Sequence, residues 1–421
     1  MAEYRLIDRC QICDGRAIKE IIALGDLPLV DALPSGEQSL KESSVKYPTS
    51  FLYCPQCRFC QLGYMVDQRL LFPAEYPYTS ATTRILRHNF AELARECMDF
   101  IPLDKNDLVV DIGCNDGTLL NNFKDHSRVL GITPENMGVL ARQKGITVEQ
   151  SYLTREIVDK ITMGNGKAKI VCATNVFAHF PDVHEALSII ADLLKPGGIF
   201  ILECGYLPAL LAGVQYDSIH HEHLRYYTLY SLKFLFEKHG MEIIHAKRVE
   251  THGGSLRVYA ARRNEQQRHP LAKIEELLNE EKYQDFEGKV LPEFSRRVNA
   301  HKSKLYELLL QLKSGGKRIY GIGAPGRATV LLNYTGIDES LLDFVLETPA
   351  SYKIGKFVPG TKVLIVDENK IEEDPPDYAL MLSWHIGTEL MIKLKGQGFK
   401  GDFIMPLPEV AIIKNNSVLF E

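Results

Sequence analysis

The sequence predicts an α/β protein with two doubly wound parallel sheets and a small cysteine-rich module in front of them. Three observations predict this architecture. Short apolar segments alternate with helical patterns between residues 80 and 263, the alternation restarts at residue 317, and five of the nine cysteines lie within the first 60 positions. Strands separated by helices are typical of parallel sheets that helices cover on both faces. At 421 residues the chain is long enough for two or three domains.

Charge and hydropathy limit the partners that we expect. The formal net charge is −5, which gives no electrostatic attraction to nucleic acid. No apolar run reaches the ~18 residues that a membrane-spanning helix needs. The charged segment Met1–Cys10 lacks the apolar centre of a signal peptide. We therefore expect a cytoplasmic protein with no nucleic acid or membrane partner.

The cysteine-rich module contains two C-x-x-C motifs, Cys10/Cys13 and Cys54/Cys57. Four thiolates at this spacing can surround one zinc ion, and a site closed by four sulfurs is structural rather than catalytic. Cys60 is a spare that could replace one ligand. The alternative, free buried cysteines, does not explain why two such pairs occur in a reducing compartment.

The first α/β region contains four short apolar segments. We predict strands at Leu108–Ile112, Arg128–Ile132, Lys169–Ala173 and Gly198–Glu203. A helical period runs from Val183 to Leu194, and the helix-stopping sequence Lys195-Pro196-Gly197-Gly198 follows it. This alternation favours a parallel, doubly wound sheet.

A helical connector and a second α/β domain follow. Residues 265–314 are charged and helical in period, and their last leucines fall on one helical face, at Leu305, Leu308, Leu309 and Leu312. Gly315-Gly316 ends that helix. The strand pattern then restarts, with predicted strands at Arg318–Gly323, Leu342–Leu346 and Tyr378–Leu382.

A glycine-containing turn follows the first predicted strand. In the segment from Asp111 to Gly117, Gly113 permits a tight turn and Gly117 permits close approach to a ligand. The spacing D-x-G-x-x-x-G differs from the G-x-G-x-x-G of dinucleotide-binding enzymes. Its place after a strand of an alternating α/β pattern favours a ligand site over a purely structural turn.

Histidines concentrate in three later segments. His179 follows the third strand, where ligands of doubly wound sheets bind, although a packing histidine would fit there too. The run from Tyr216 to Tyr227 contains three histidines and two acids. It allows a metal site, a solvated loop or an acid–base cluster, and we favour the last because the run lacks the H-E-x-x-H pattern. The glycine pair after His252 indicates either a sharp turn or a nearby ligand.

Taken together, these motifs resemble the sugar 3-C-methyltransferases of branched deoxysugar pathways, the D-mycarose 3-C-methyltransferase type. The motifs that carry the resemblance are Cys10/Cys13, Cys54/Cys57, Tyr76-Pro77-Tyr78, Asp111 to Gly117, Asn175 to His179, Glu222-His223, His252-Gly253-Gly254 and Gly321-Ile322-Gly323-Ala324-Pro325. The resemblance covers essentially the whole chain. It implies a zinc-binding module at residues 1–70, a class I S-adenosylmethionine-dependent methyltransferase domain of Rossmann-like fold at 71–264, a helical connector at 265–314 and a Rossmann-like C-terminal domain at 315–421.

The resemblance also implies an activity, namely C-methylation at C3 of a nucleotide-linked 4-keto-hexose with S-adenosylmethionine and structural zinc as cofactors. The implied catalytic residues are His223, Glu222 before it, His179, Tyr76 or Tyr78, and His220, which stands where some relatives have a tyrosine. We expect His223, oriented by Glu222, to remove the C3 proton. We expect His179 and a tyrosine to donate hydrogen bonds to the enolate oxygen.

The turn after the first strand matches motif I of class I methyltransferases, which holds the amino-acid part of S-adenosylmethionine. The implied cofactor-binding residues are Asp111, Gly113, Asn115, Asp116, Gly117, Thr133, Glu135 and Asn175. Thr133 occupies the place of the acidic residue that usually binds the ribose hydroxyls, and Glu135 follows two residues later. An alternative is therefore a cofactor-free relative that binds only a nucleotide-sugar.

The implied substrate is a nucleotide-activated keto-sugar held between the domains. The implied substrate-binding residues are His252, Gly253, Gly254, Gly323, Arg327, Asn333, Lys353, Lys356 and Trp384. A glycine turn that opens a helix suits phosphate, and the lysines and the arginine add positive charge. Methylation of a sugar hydroxyl or amine is a further alternative. Since one chain supplies every part of the site, a monomer or a weak homo-oligomer is sufficient.

Overall fold

The computed structural model describes residues 4–36, 45–75, 79–80, 83–265, 272–349 and 351–417. The strands are β1 (Tyr4–Leu6), β2 (Lys19–Pro28), β3 (Lys46–Cys54), β4 (Phe59–Leu62), β5 (Tyr64–Val66), β6 (Leu108–Ile112), β7 (Arg128–Ile132), β8 (Thr147–Glu149), β9 (Ala168–Thr174), β10 (Leu194–Gly205), β11 (Arg225–Tyr226), β12 (Met241–Val249), β13 (Ser255–Arg262), β14 (Ile319–Ile322), β15 (Phe344–Glu347), β16 (Ile365–Asp367), β17 (Tyr378–Met381), β18 (Asp402–Met405) and β19 (Ala411–Ile413).

The helices are α1 (Gln68–Leu71), α2 (Arg84–Phe100), α3 (Gly138–Gln143), α4 (Arg155–Asn165), α5 (Val183–Leu193), α6 (Leu207–Ala212), α7 (Leu229–Lys238), α8 (Ala272–Tyr283), α9 (Leu291–Ser314), α10 (Gly326–Thr335), α11 (Lys370–Glu373) and α12 (Gly387–Gly396). Short helical turns lie at Leu120–Asn122, Tyr216–Ser218, Thr251–Gly253, Phe286–Val290 and Trp384–Ile386. Within the described ranges, no helix is both long and apolar enough to cross a membrane.

The N-terminal sheet includes a strand from much later in the chain. Its strand order is β11-β4-β3-β2, and all its pairs are antiparallel. In the pairing of β11 with β4, Arg225 lies opposite Gln61 and Tyr226 lies opposite Cys60. The segment that carries the histidine run is therefore fixed by main-chain hydrogen bonds to the cysteine-rich module.

The central domain is a seven-stranded sheet with the order β12-β13-β10-β9-β6-β7-β8. The strands from β10 to β8 in this order are parallel, and β13 is antiparallel to both of its neighbours. Every residue of β6 is buried, as expected of a strand that helices cover on both faces. The predicted strands and the parallel core are thus confirmed. The segment Lys195-Pro196-Gly197-Gly198 does follow the end of α5, but it forms the first part of β10 rather than a loop.

Left-handed backbone conformations mark the carboxyl edge of this sheet. Gly113 after β6 has φ 77°, Asn115 has φ 49°, Asn175 after β9 has φ 58°, and His252 between β12 and β13 has φ 56°. A Cβ on Gly113 would lie 2.3 Å from Cγ1 of Val176, so that turn requires glycine. Unfavourable backbone conformations of this kind often accompany functional sites.

The C-terminal domain is a second, mainly parallel sheet with the order β16-β15-β14-β17-β18-β19, in which β19 is antiparallel. The predicted connector is two helices, α8 and α9, joined through the wider turn Phe286–Val290. Its residues Leu305 and Leu309 are buried. They belong to one hydrophobic core that also contains Phe51 of the N-terminal sheet and Leu331 of the C-terminal domain.

Candidate functional site

A cavity of about 340 Å³ opens at the carboxyl edge of the central sheet. Three parts of the chain line it: the turns that follow the central strands, the histidine loop (residues 216–227), and residues of the flanking domains. The flanking residues include Val30 and Asp31 from the N-terminal module and Gly326 and Arg327 from the C-terminal domain. A ligand in this cavity would therefore contact all three domains.

One half of the cavity is built from the glycine-containing turn after β6. Gly113 and Asn115 line the cavity, and Oδ1 of Asn115 accepts a hydrogen bond of 3.0 Å from the backbone N–H of Ser80. Asp111 lies behind them. Its Oδ1 is buried without a hydrogen-bond partner among the described residues, and burial together with the nearby Asp116 raises the pKa of its carboxyl group. A buried acceptor of this kind is suited to a ligand donor.

Asp116 and Gly117 have structural roles in the same turn. Oδ1 of Asp116 accepts hydrogen bonds from the backbone N–H and the hydroxyl of Thr118, at 3.0 and 2.7 Å. A Cβ on Gly117 would lie 2.8 Å from Cβ of Ala141. The structure therefore places these two predicted cofactor residues beneath the cavity wall.

The acidic residue after β7 is Glu135. It lines the cavity, whereas Thr133 is fully buried and donates its hydroxyl hydrogen bond to the Glu135 carboxylate. Burial raises the pKa of Glu135, and the hydrogen bond from Thr133 opposes that rise. Thr133 thus orients the Glu135 carboxylate, which stands two positions after the place where the acidic residue was expected.

The other half of the cavity is a cluster of histidines from two segments, the turn after β9 and the histidine loop. The ring centroids of His179 and His223 lie 5.4 Å apart with nearly parallel planes, and those of His220 and His223 lie 4.1 Å apart. The ring of Phe72 stacks on the other side of His179 at 4.9 Å. Nε2 of His179 and Nδ1 of His220 are buried without partners among the described residues. The sequence prediction that these histidines share one site is consistent with this geometry.

The orientation of His223 follows from one backbone contact. Its Nδ1 lies 3.1 Å from the carbonyl oxygen of Ser218, and a carbonyl can only accept, so Nδ1 carries the proton. Nε2 then carries the lone pair, and the His223 ring lines the cavity. Burial, together with a smaller effect of Arg327, lowers the pKa of His223 to about 4 although the hydrogen bond to the Ser218 carbonyl opposes the shift. The ring is therefore neutral at neutral pH.

Arg225 is a site residue that the sequence analysis missed. It is buried, and its guanidinium donates to the carbonyl oxygens of Phe180 at 2.5 Å and Pro181 at 3.2 Å, next to His179. The backbone N–H of Leu224 also donates to the carbonyl of Ala178. These contacts fix the His179 turn against the histidine loop. A lone arginine without a surrounding motif gives no sequence signal for such a role.

The adjacent residues His221 and Glu222 point in different directions. Nε2 of His221 lies 2.9 Å from the Thr49 hydroxyl and 3.2 Å from the Tyr47 carbonyl, so this histidine fixes the loop to β3. Glu222 is buried and lines the cavity. The loop therefore places Glu222 and His223 at the cavity, whereas His221 lies behind it against β3.

The turn between β12 and β13 is a third wall of the cavity. His252 and Gly254 line it, and a Cβ on Gly254 would lie 2.6 Å from Cβ of Ala209. Nε2 of Gln215 donates a hydrogen bond of 2.6 Å to the carbonyl of Gly253, and the Arg327 guanidinium donates to the carbonyl of His252. The sequence left open whether this turn packs tightly or lies near a ligand. The structure shows the tight packing, and the turn also lines the cavity.

The predicted residues of the C-terminal domain separate into two groups. Arg327 reaches the cavity. Asn333 donates to the carbonyls of Thr329 and Pro359, and Lys353 donates to the carbonyl of Ala324, so both make structural contacts.

The remaining residues of this set also make contacts within the protein. Lys356 lies over the Tyr352 ring at 4.7 Å. Nε1 of Trp384 donates a hydrogen bond of 2.7 Å to Asp217. A Cβ on Gly323 would lie 2.2 Å from the Ser383 hydroxyl, so this turn packs directly on its neighbour. The predicted tyrosines Tyr76 and Tyr78 lie outside the described residues.

The four cysteines of the C-x-x-C motifs converge. The sulfur atoms of Cys10, Cys13, Cys54 and Cys57 all lie within 4.8 Å of one another. The pairs Cys10–Cys57 and Cys13–Cys54 are separated by 3.9 and 3.7 Å. A tetrahedron with Zn–S bonds of about 2.3 Å has edges of about 3.8 Å, so the arrangement fits zinc. Cys60 is buried in β4 and lies outside this group.

Comparisons with known proteins agree with this architecture. Three family models match successive parts of the chain: "Putative zinc binding domain" at residues 10–72, "Methyltransferase domain" at residues 85–246 and "C-methyltransferase C-terminal domain" at residues 250–408. The C-methyltransferase NovU of Streptomyces niveus is 31% identical over 419 residues, which is 99% of each chain. This chain belongs to the C-methyltransferases.

Solved methyltransferase structures match less than half of this C-methyltransferase. Magnesium protoporphyrin IX methyltransferase from Synechocystis PCC 6803 with bound S-adenosylmethionine is 16% identical, with a TM-score of 0.33 over 44% of this chain and 86% of that chain. An S-adenosylmethionine-dependent methyltransferase from Mesorhizobium loti is 17% identical, with a TM-score of 0.33 over 41% and 98% of the two chains.

Membership of the C-methyltransferase family establishes the cofactors of this protein. It is an S-adenosylmethionine-dependent enzyme of the class I fold, and its N-terminal module is a zinc-binding domain with four cysteines close enough to hold the metal. The cofactor-free alternative is therefore excluded. The enzyme acts on a small-molecule substrate.

Proposed function

We propose that this enzyme methylates C3 of a nucleotide-linked 4-keto-hexose, with His223 as the general base. The observation that carries the proposal is the neutral imidazole of His223, which lines the cavity and whose Nε2 carries the lone pair because Nδ1 donates to the Ser218 carbonyl. Carbon methylation requires removal of a proton from carbon, and a carbonyl next to that carbon makes the proton acidic. A neutral imidazole held in one orientation is suited to this task.

In the proposed first step, Nε2 of His223 takes the C3 proton and the C3–H electron pair moves into an enolate. The developing negative charge on the C4 oxygen needs hydrogen-bond donors. His179 is one candidate because its Nε2 is buried without a partner among the described residues and its ring is parallel to that of His223. Preorganised donors of this kind often give the largest single contribution to catalysis.

S-adenosylmethionine, when bound, supplies the electrophilic methyl group. We propose that Gly113 and Asn115 hold its amino-acid part, with Asp111 behind them, and that Glu135 binds its ribose hydroxyls. The positions of Gly113, Asn115 and Glu135 on the cavity wall support this arrangement, as does the Thr133 hydrogen bond that orients Glu135. Binding both reactants in one water-excluding cavity supplies much of the rate enhancement.

We propose that Arg327 and the helix that begins at Gly326 contact the nucleotide-sugar from the C-terminal side. Arg327 is half-buried at the cavity, and its guanidinium donates to the carbonyl of His252 and to Gln215, which leaves further N–H groups for a ligand. The proposed division of the chain is a zinc module to residue 70, a methyltransferase domain to residue 264, a connector to residue 314 and a nucleotide-sugar domain after it.

Hydrogen exchange at C3 tests the proposal directly. The enzyme is incubated with a nucleotide-linked 4-keto-hexose and S-adenosylhomocysteine in deuterated water, and deuterium at C3 is measured by mass spectrometry. We expect exchange with the wild type and a loss of about 10²–10⁴-fold in His223→Asn. The control is His239→Asn, since His239 bonds to His184 away from the cavity. O- or N-methylation without C3 exchange would overturn the proposal.

A further inference from the structure

The turn Tyr216–Ser218, at the start of the histidine loop, is hydrogen-bonded to the C-terminal domain. Asp217 is fully buried in this turn, and its Oδ2 accepts the 2.7 Å hydrogen bond from Nε1 of Trp384 in the C-terminal domain. Burial raises the pKa of Asp217, whereas Arg327 and the hydrogen bond from Trp384 lower it. A buried carboxylate is costly without partners, so this contact constrains the turn strongly.

A second contact fixes the same turn from the connector. Nε2 of His301 on α9 lies 2.6 Å from the carbonyl of Pro406, so Nε2 donates and Nδ1 is left as an acceptor. The hydroxyl of Tyr216 lies 3.0 Å from that Nδ1 and donates to it. The turn is thus held at two successive residues by groups that belong to the connector and the C-terminal domain.

The last residue of the turn makes the contact that orients the proposed base. The carbonyl of Ser218 accepts from Nδ1 of His223 at 3.1 Å and from the hydroxyl of Tyr226 at 3.1 Å. A shift of Asp217 therefore moves the carbonyl that holds the His223 ring. Two hydrogen bonds, joined by the backbone between Asp217 and Ser218, connect the indole of Trp384 with the imidazole of His223.

We propose that Trp384 is a positioning residue, which sets the tautomer and orientation of His223 through Asp217 and the Ser218 carbonyl. This inference rests on the proposed role of His223 as the base. It gives the C-terminal domain a part in the proton-transfer step in addition to any contact with the nucleotide. Misplacement of a reacting group by about 1 Å can reduce the rate by about 10²-fold, so a weakened contact has a measurable effect.

The first test needs no substrate. The variant Trp384→Phe removes the N–H donor and keeps an aromatic ring near Arg327, which lies 5.5 Å from the Trp384 ring. Nitrogen NMR of ¹⁵N-histidine-labelled protein, with His223→Asn for assignment, reports which ring nitrogen carries the proton. We expect a single Nδ1–H tautomer for His223 in the wild type and a mixture in Trp384→Phe.

A matched control comes from the same domain. The hydroxyl of Tyr320 donates a hydrogen bond of 2.8 Å to Asp374, away from the cavity. Tyr320→Phe therefore deletes one donor to a carboxylate without touching the turn, and we expect the wild-type tautomer. If Trp384→Phe does not fold, Asp217→Asn replaces it, because that variant removes the charge of the acceptor in the same hydrogen bond and keeps its shape. An unchanged His223 tautomer in the folded variant would overturn the proposal.

The second test separates positioning from substrate binding. We expect Trp384→Phe to lower kcat by about 10- to 100-fold while KM changes by less than about twofold. A rise in KM with unchanged kcat would assign Trp384 to ground-state substrate binding and would overturn the proposal. If the wild type does not exchange C3 of a keto-sugar, the proposed function fails, while the NMR experiment still decides whether Trp384 controls the His223 ring.

Discussion

Gln61 and Arg225 lie opposite each other in the pairing of β4 with β11, and both connect the zinc module to the histidine loop. The side chain of Gln61 accepts from the backbone N–H of Gln11 and donates to the carbonyl of Arg9, both at 2.8 Å. These two backbone groups flank the zinc ligand Cys10. The cysteine cluster is therefore connected through Gln61 and β11 to Arg225, which fixes the His179 turn.

Removal of zinc is accordingly expected to abolish turnover. Structural zinc sites contribute about 10–16 kcal/mol in isolated modules, so the cysteine cluster should lose its fold without the metal. We expect chelation, or Cys57→Ser, to reduce turnover at least about 100-fold while S-adenosylhomocysteine binding, measured by calorimetry, changes by less than about tenfold. Full turnover in protein shown by elemental analysis to lack zinc would contradict the expectation.

The carboxylate of Glu135 should control affinity for the cofactor. A hydrogen bond to a charged group contributes about 1.5–3 kcal/mol, so Glu135→Gln should weaken S-adenosylhomocysteine binding by about 10- to 150-fold. Thr133→Val should weaken it less, since it removes only the orienting hydroxyl. Calorimetric titration checks both variants. Glu149→Gln is the control because Glu149 pairs with Lys160 outside the cavity, and equal effects in all three variants would contradict the prediction.

The fully buried ion pair of Glu203 and Arg257 should be important for stability. Nε of Arg257 lies 3.0 Å from Oε2 of Glu203, and neither side chain is exposed. Arg257→Met leaves the carboxylate without this partner, and we expect a loss of about 3–5 kcal/mol in the free energy of unfolding. Urea unfolding followed by circular dichroism measures it.

The matched control for this pair is Arg155→Met. Arg155 pairs with Asp192 at the surface, where both side chains are substantially exposed. Exposed pairs contribute about 0–1 kcal/mol, so the two substitutions should differ clearly. Equal losses would show that the buried pair has no special role in the fold.

Acidification should destabilise the protein through its buried histidines. Burial lowers the pKa of His179 and His220 well below the usual value and lowers the pKa of His223 and His252 to about 4. The unfolded chain binds these protons near pH 6.5 and the folded chain does not, so this stability is complete above about pH 6.5 and falls as the pH drops toward 4.

The urea midpoint at several pH values between 7.5 and 4.5 measures this dependence. Each such histidine adds at most about 1.4 kcal/mol per pH unit to the change of the free energy of unfolding with pH. His220→Asn lacks one of these groups, so its stability should depend on pH less steeply than that of the wild type.

The lowered pKa of His223 predicts that kcat/KM keeps its plateau below pH 6.5, since His223 stays neutral there. A fall of kcat/KM centred on pH 6.5 would contradict the assignment of this pKa to the base.

Much of the fold could be predicted from local sequence patterns. Buried parallel strands such as β6 and β7 are short apolar runs next to turn residues, and their predicted bounds match the structure. The cysteine cluster was predictable because metal ligands obey a fixed spacing. β11 could not be predicted, since it is two residues long and forms only by pairing with a strand more than 160 positions earlier.

The candidate site was predictable in its residue types but not in its hydrogen bonds. His179 follows a predicted strand, where ligands of such sheets bind, and His220 and His223 stand in a run of histidines and acids. That the Ser218 carbonyl orients His223 is a backbone contact, and no side-chain pattern reports it. Asn333 and Lys353 fit a phosphate site by type, yet their side chains bind carbonyl groups of their own domain.

The hydrophobic core that joins Phe51, Phe294 and Leu331 has a consequence for engineering. A chimaera that exchanges the C-terminal half at the junction near residue 265 would pair α9 and α10 with a foreign N-terminal sheet and leave mismatched apolar faces. Substrate range should therefore be altered by exchanging the first sheet, the connector and the C-terminal domain as one unit, or by point substitutions within the cavity.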